Sequence, residues 1–175
     1  MNIYRLRVEL TQSPYDEGEG TWRIFEMRGN QNLHQLHRAI FKAFDRWEHH
    51  LYSFFMSANR KDHASEYASP DYFEDEEWEE DLPRNARNAK LDSLALTVRS
   101  TFEYIFDYGD DWEHRVKVLR ISDEKTTGRY PRMIEGQGAS PPQYPVPRTG
   151  EYEEDFTEEK PIEPARIIHL FEVQE

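Results

Sequence analysis

The sequence predicts an α+β fold: a mainly antiparallel sheet with a central β-hairpin, and one principal helix packed on it. Three observations carry this reading. Residues 101–119, TFEYIFDYGDDWEHRVKVL, alternate apolar and polar positions on both sides of a short polar reversal. Two further alternating runs open the chain. Between them and the hairpin, one segment places its apolar residues at helical rather than strand spacing.

The elements follow in order. Residues 3–10 put Tyr4, Leu6, Val8 and Leu10 on one side and Arg5, Arg7 and Glu9 on the other, the pattern of a half-buried strand. Residues 14–20 form a polar turn, and 21–27 a second strand expected to pair antiparallel with the first. Over 32–44 the period changes: Leu33, Leu36, Ile40, Phe41 and Phe44 make a helical stripe, and Asn32 with Gln35 has capping-box spacing. Residues 51–57 read as a third strand. In the hairpin, Phe102, Tyr104 and Phe106 share one face, as do His114, Val116 and Val118. The reversal Tyr108-Gly109-Asp110-Asp111 offers a glycine able to take positive φ.

Two zones break the pattern. Residues 61–88 are read as an irregular acidic segment, because eight of the eleven residues from 71 to 81 are Asp or Glu and such a run repels itself. Phe73 and Trp78 give that run something with which to dock. Arg84, Arg87 and Lys90 follow at three-residue spacing, which predicts a short helix after Pro83. Residues 128–164 are read as an irregular Pro/Gly-rich segment, and 166–173 as a last strand. The expectation is one domain over 1–175.

Composition narrows the function classes. The hydrophobic fraction is 37%, but aromatics reach 14%, enough large side chains for a compact core. Lys and Arg number 22 against 35 Asp and Glu, a net charge of −13 that opposes a phosphate backbone unless the cations gather on one face. A nucleic-acid partner is therefore not expected, although Arg38, Lys42, Arg46 and Trp47, with Arg23 nearby, are residue types that suit phosphate contact and base stacking. With no cysteine there is no thiol nucleophile or zinc-thiolate site. No signal-peptide pattern or membrane-length apolar run is seen, so a cytoplasmic protein without membrane association is expected. A GxSxG elbow and a GxxxxGK loop are both missing, Ser53, Ser57 and Ser100 lack a nucleophile context, and Gly136-Gln137-Gly138 is too short for a dinucleotide fingerprint. No cofactor is implied.

Asp107, Asp110, Asp111, Glu113 and His114 are the chemically richest cluster. Their oxygens and nitrogen suit a divalent cation, yet the calcium-loop order is absent, and turn chemistry explains the Asp residues without a metal. A metal site at Asp107, Asp110, Asp111 and His114 is kept as the alternative. Among the other histidines, His34 and His37 lie at i, i+3 without an HExxH pattern. His37, beside Leu36, is expected to be buried and hydrogen-bonded, and His34 to face solvent.

Six segments carry a family resemblance: YRLRVEL, TWRIFEM, NLHQLHRAIFKAFDRW, HLYSF, FEYIFDYGDDWEHRVKV and YPRMIEGQGASPP, spread from about Tyr4 to Pro142. In this order they resemble an uncharacterised family named after an open reading frame of plasmid pRiA4b. The resemblance implies an α+β fold and a history on plasmids and insertion elements, without implying a reaction. The chain departs from the family pattern at Met133, where relatives have cysteine, and at 143–147, where they have acidic residues and a double glycine. The hairpin matches best, so the candidate functional surface is Asp107, Tyr108, Asp110, Asp111, Trp112, Glu113 and His114. The leading functional expectation is a non-enzymatic binding or accessory module, with a protein partner. The alternative is a metal-dependent phosphoester hydrolase using the hairpin carboxylates.

Overall fold

The computed structural model describes residues 1–15, 18–73, 82–123 and 127–144. Strands β1 (Ile3–Gln12) and β2 (Trp22–Arg28) precede helix α1 (Leu33–Ala43), followed by β3 (Tyr52–Phe55), β4 (Glu66–Ala68), β5 (Arg84–Asn85), β6 (Thr101–Phe106), β7 (Trp112–Ser122) and β8 (Arg132–Gln137). All eight strands join one sheet in the order β5-β4-β3-β6-β7-β1-β2-β8. The sheet is mixed. The hairpin pair β6–β7 is antiparallel, as are β1–β2, β1–β7 and β2–β8, but β5 runs parallel to β4. That edge pair lies in the segment read as irregular, where two- and three-residue strands leave no periodicity to detect.

Helix α1 starts where the sequence places its cap. The Asn32 side chain accepts from Gln35 N at 2.9 Å while Gln35 Oε1 accepts from Asn32 N at 3.0 Å, so two otherwise unpaired amides are satisfied together. Leu33, Leu36, His37, Ala39, Ile40 and Ala43 are buried, and Phe44 closes the helix as its C-cap. Phe41 is only partly buried. The stripe packs on the sheet face formed by Tyr4, Leu6 and Val8 of β1, Phe102, Tyr104 and Phe106 of β6, and His114, Val116 and Val118 of β7. Strand alternation sends Arg5, Arg7, Arg115 and Lys117 to the opposite face.

Several expectations are corrected. The third strand is four residues, not seven, and the chain turns directly after it, with Ala58 N donating to Phe55 O. Arg84 lies in β5 and Arg87 in a 3-10 turn, so no single helix aligns them with Lys90; Arg84 instead donates to the Ala64 carbonyl and stacks over Tyr67. The Pro/Gly-rich zone contains β8, which completes the free edge of β2. Gly136 pairs with Arg23 in that strand, and a Cβ there would meet Arg23 Cδ at 2.8 Å, so the glycine leaves room for the buried arginine. Trp78, most of the acidic run and residues 166–173 lie outside the described residues.

Ile40 is 1% exposed within the apolar cluster of helix and sheet, so a carboxylate placed there would be buried. Ile40→Asp is expected to remove cooperative urea unfolding, a larger effect than the roughly 2–5 kcal/mol of a buried Ile→Ala cavity. A variant that unfolds like the parent would show that the helix is not seated this way.

Candidate functional site

Five residues, 107–111, connect the paired Phe106 and Trp112. The sequence points to Gly109 as the residue needing positive φ, but the structure places that conformation at Asp107 (φ 62°) and Asp111 (φ 52°). Asp107 is stabilised there by its own side chain: Oδ1 accepts from Gly109 N at 3.0 Å and lies 3.4 Å from Asp110 N. Its main chain is held too, with N donating to Leu51 O and O accepting from Asp111 N. Short polar side chains tolerate the left-handed region through such local bonds. Asp107 is therefore a turn-maker, and it is buried.

The remaining polar groups diverge. Arg60 forks between two of them, with Nη2 at 2.7 Å from Asp111 Oδ1 and Nη1 at 2.6 Å from Glu113 Oε1. Asp107 Oδ2 faces His50 Nε2 at 3.5 Å, and that nitrogen also meets the Tyr144 hydroxyl at 2.8 Å. Asp110 lies beside Tyr15, whose hydroxyl pKa is raised by burial and by that carboxylate. Tyr108 leaves 41% of its surface exposed but anchors its hydroxyl 2.8 Å from Ser53 Oγ. Burial of that hydroxyl raises its pKa to about 12. Ser53 in turn donates to Glu66 Oε1 at 2.6 Å. Among the described residues no three His, Asp or Glu side chains come together as metal ligands.

Trp112 and His114 point inward, away from the acids. Trp112 is fully buried, with Arg46 Cζ 3.6 Å from its ring centroid and Tyr15 edge-on. His114 is packed edge-on to Phe44 and tilted against Tyr104, with Nδ1 3.2 Å from the Trp112 carbonyl. Burial, then the nearby Arg46 charge, lowers its pKa to about 3, so it is neutral at pH 7. His37 behaves alike: it stacks on Tyr52 at 3.7 Å, meets the Tyr104 hydroxyl at 2.8 Å, and burial lowers its pKa to about 3. His34, expected to face solvent, is partly buried and bonded to the Tyr52 hydroxyl at 2.8 Å.

The helix-side basic cluster is also corrected. Arg23 and Arg46 are buried rather than displayed. Arg23 donates to the carbonyls of Ala43, Trp22 and Gln137, and Arg46 Nη1 to that of Pro141 at 2.7 Å. Each is drawn inward by an aromatic ring and backbone acceptors, which residue type and spacing cannot reveal. Arg38 and Lys42 remain on the surface, with Trp47 66% exposed and edge-on to Tyr144. Gln143, at a departure from the family pattern, is fully buried; it accepts from the amides of Trp47 and Glu48 and donates to the Glu48 carbonyl. Met133, the other departure, is a core residue. His50, Arg60 and Gln143 were not legible as site residues, because their partners are 51–96 residues distant in the chain.

The model of the family described as plasmid pRiA4b ORF-3-like protein matches residues 2–155. The uncharacterised protein y4hQ of Sinorhizobium fredii (strain NBRC 101917 / NGR234) is 34% identical over 112 residues, 63% of this chain and 52% of its own. The chain thus spans about half the length of that relative. A crystal structure of a protein of unknown function, MM3350 from Methanosarcina mazei Go1, aligns with a TM-score of 0.61 at 24% identity, covering 81% of this chain and 72% of that one. This last likeness concerns the fold alone. Among the described residues no helix is long and apolar enough to cross a membrane.

Two outcomes follow from the geometry. Between pH 6.5 and 3 the unfolded chain protonates His37 and His114 while the folded chain resists, so stability held above pH 6.5 is lost as the pH falls. At pH 5 the expected loss is on the order of 2 kcal/mol per histidine, read from urea midpoints at pH 7 and 5 and reduced in His37→Gln. A flat profile would contradict the neutral, buried assignment. Asp107→Asn keeps the turn acceptor and is expected to stay within about 0.5 kcal/mol, whereas Asp107→Ala loses it and costs about 1–3 kcal/mol. Equal effects in the two variants would show that the His50 pair, not the turn, sets the role of Asp107.

Proposed function

The chain belongs to the plasmid pRiA4b ORF-3-like family, and on that premise we propose that it is a non-enzymatic binding or accessory module. Its working surface is the outer side of the hairpin turn together with the aromatic rim beside it. One observation carries this reading: the hairpin's ionisable side chains are separately engaged instead of converging. Asp107 holds the turn, Asp111 and Glu113 share Arg60, and His114 lies in the core. Acid–base or metal-assisted hydrolysis needs such groups aimed at one reacting position. The alternative hydrolase, built on Asp107, Asp110, Asp111 and His114, lacks that arrangement.

Tyr108 and Trp47 supply what a binding face needs, large rings exposed to solvent while their attachments are fixed. Such rings order few rotatable bonds on docking and bury much area. With Arg23 and Arg46 turned inward, the helix side offers phosphate little beyond Arg38 and Lys42. The partner is accordingly proposed to be a protein.

The test combines two readouts on the purified full chain. Mg²⁺, Mn²⁺ and Zn²⁺ are expected to leave the melting temperature unchanged, where a tight site would add about 2.7 kcal/mol at a hundred-fold excess over Kd. Affinity capture with the parent and with Tyr108→Ser/Trp47→Ser is expected to recover a specific protein with the parent only. A metal-dependent melting shift lost in Asp110→Asn/Asp111→Asn would favour the hydrolase, and partner capture unaffected by the aromatic changes would remove this surface from the function.

A further inference from the structure

Arg23 and Arg46 are both buried, yet they are treated differently by their surroundings. Arg23 spends Nε and Nη1 on three backbone carbonyls. Arg46 has one such bond, from Nη1 to Pro141 O, and its Nε and Nη2 are buried without a hydrogen-bond partner. These two nitrogens form one edge of the guanidinium plane, with parallel N–H bonds that match the two oxygens of a carboxylate. The residue is 6% exposed, and among the described residues no acid lies within ion-pair distance of it. Burial depresses its pKa to about 10, and Tyr104 and the neighbouring Asp45 carboxylate offset that only in part.

The same neighbourhood holds two more unpartnered polar atoms. Trp112 Nε1 belongs to the ring stacked on Arg46, and it can only donate. His114 Nε2 has the Tyr104 main chain beside it but no aligned partner. Of the five buried side-chain nitrogens and oxygens without partners among the described residues, four are therefore in this one cluster at the root of the hairpin. Three of these four, Arg46 Nε and Nη2 and Trp112 Nε1, are donors. His114 Nε2 is an acceptor, because the neutral ring donates from Nδ1 to Trp112 O. Buried donors are rarely left unpaired, so the three call for an acceptor. A groove of about 670 Å³ between α1 and the following segment is lined by Arg46 together with Arg38, Phe41, Asp45, Trp47 and His49, so open space borders the arginine.

We infer that the Nε–Nη2 edge of Arg46, backed by Trp112, is a binding site for a small monocarboxylate. A planar monoanion fits because it satisfies the paired N–H groups in their own plane and neutralises one buried charge. A phosphate dianion would bring a second charge into a site with one cation, and it would have to be desolvated there. Trp47 borders this site as well as the outer surface, but the Nε–Nη2 edge and the indole N–H belong to the interior alone, so either reading can fail without the other.

The experiment uses the full chain at pH 7. Formate, acetate and propionate are titrated against sodium chloride of equal ionic strength, with inorganic phosphate as a separate arm. The readouts are melting temperature and the ¹⁵N resonance of the Arg46 Nε–H. A saturable rise in melting temperature with a carboxylate, accompanied by a saturable shift of that resonance, is the expected result. Arg46→Lys keeps a charge but loses the two-nitrogen edge, and its apparent affinity should fall at least tenfold. Trp112→Phe preserves the stacked ring and removes the indole N–H, so it should weaken binding several-fold even if Arg46→Lys does not fold. The proposal is overturned by a carboxylate response no different from chloride, as for a cluster satisfied by water, by saturation with phosphate alone, or by undiminished affinity in both variants.

Discussion

The end of helix α1 is the constraint on which the rest of the molecule depends. A helix leaves its last carbonyls unsatisfied, and burying them unpaired is costly. Here the answers come from distant segments. Arg23 of β2 donates to Ala43 O, Ser140 to Phe44 O, and Gln143 grips the Trp47 and Glu48 backbone. Arg46 returns the connection by donating to Pro141 O. Residues 137–144 are thereby fastened to the helix terminus and to β2 at once. That fastening fixes Trp47 against Tyr144 outside and Arg46 against Trp112 inside, so both faces of the hairpin root are set by the same few bonds.

Charge is distributed in a way that a whole-chain total conceals. The described residues carry 18 Lys and Arg against 16 Asp and Glu, close to neutrality. The remaining residues carry 4 against 19, which accounts for the chain's −13. An argument from net charge against an anionic ligand therefore applies to segments outside the described sheet and helix, not to the sheet and helix themselves. Within them the relevant quantity is local: Arg5 and Arg132 share Glu26, Arg60 holds two acids, and Arg46 has no ion-pair partner among the described residues. A short-range site for a monoanion is compatible with a net acidic chain, because any charge more than a Debye length away, about 8 Å at physiological salt, is largely screened.

Local features of the fold were legible wherever local physics decides them. The Asn32–Gln35 capping box, the alternation of Tyr4, Leu6 and Val8, and the inward face shared by His114, Val116 and Val118 all follow from period and side-chain chemistry. His37 was readable as a buried histidine because it borders the apolar stripe. His34 was not, since its partner Tyr52 comes from another element. Strands β4, β5 and β8 were hidden by their brevity and by Pro and Gly neighbours; they exist because a sheet edge was available to pair them. Arg23 and Arg46 look like ordinary surface cations in sequence, and only convergence with residues 114 and 95 positions away makes them interior.

The hairpin signature shows why adjacency in sequence is a poor guide to adjacency in chemistry. Seven candidate residues within eight positions are distributed over three environments. Alternation along β7 turns Trp112 and His114 into the core while Glu113 faces Arg60. The left-handed backbone at Asp107 and Asp111 reverses the chain so that one carboxylate caps amides and the other meets Arg60. Tyr108 alone of the aromatic members stays exposed. Three of the seven hairpin positions, Asp107, Trp112 and His114, serve the turn and the core. That motif therefore bears first on architecture, with the exposed ring of Tyr108 on its outer side and the unpaired donors of Trp112 and the neighbouring Arg46 on its inner side.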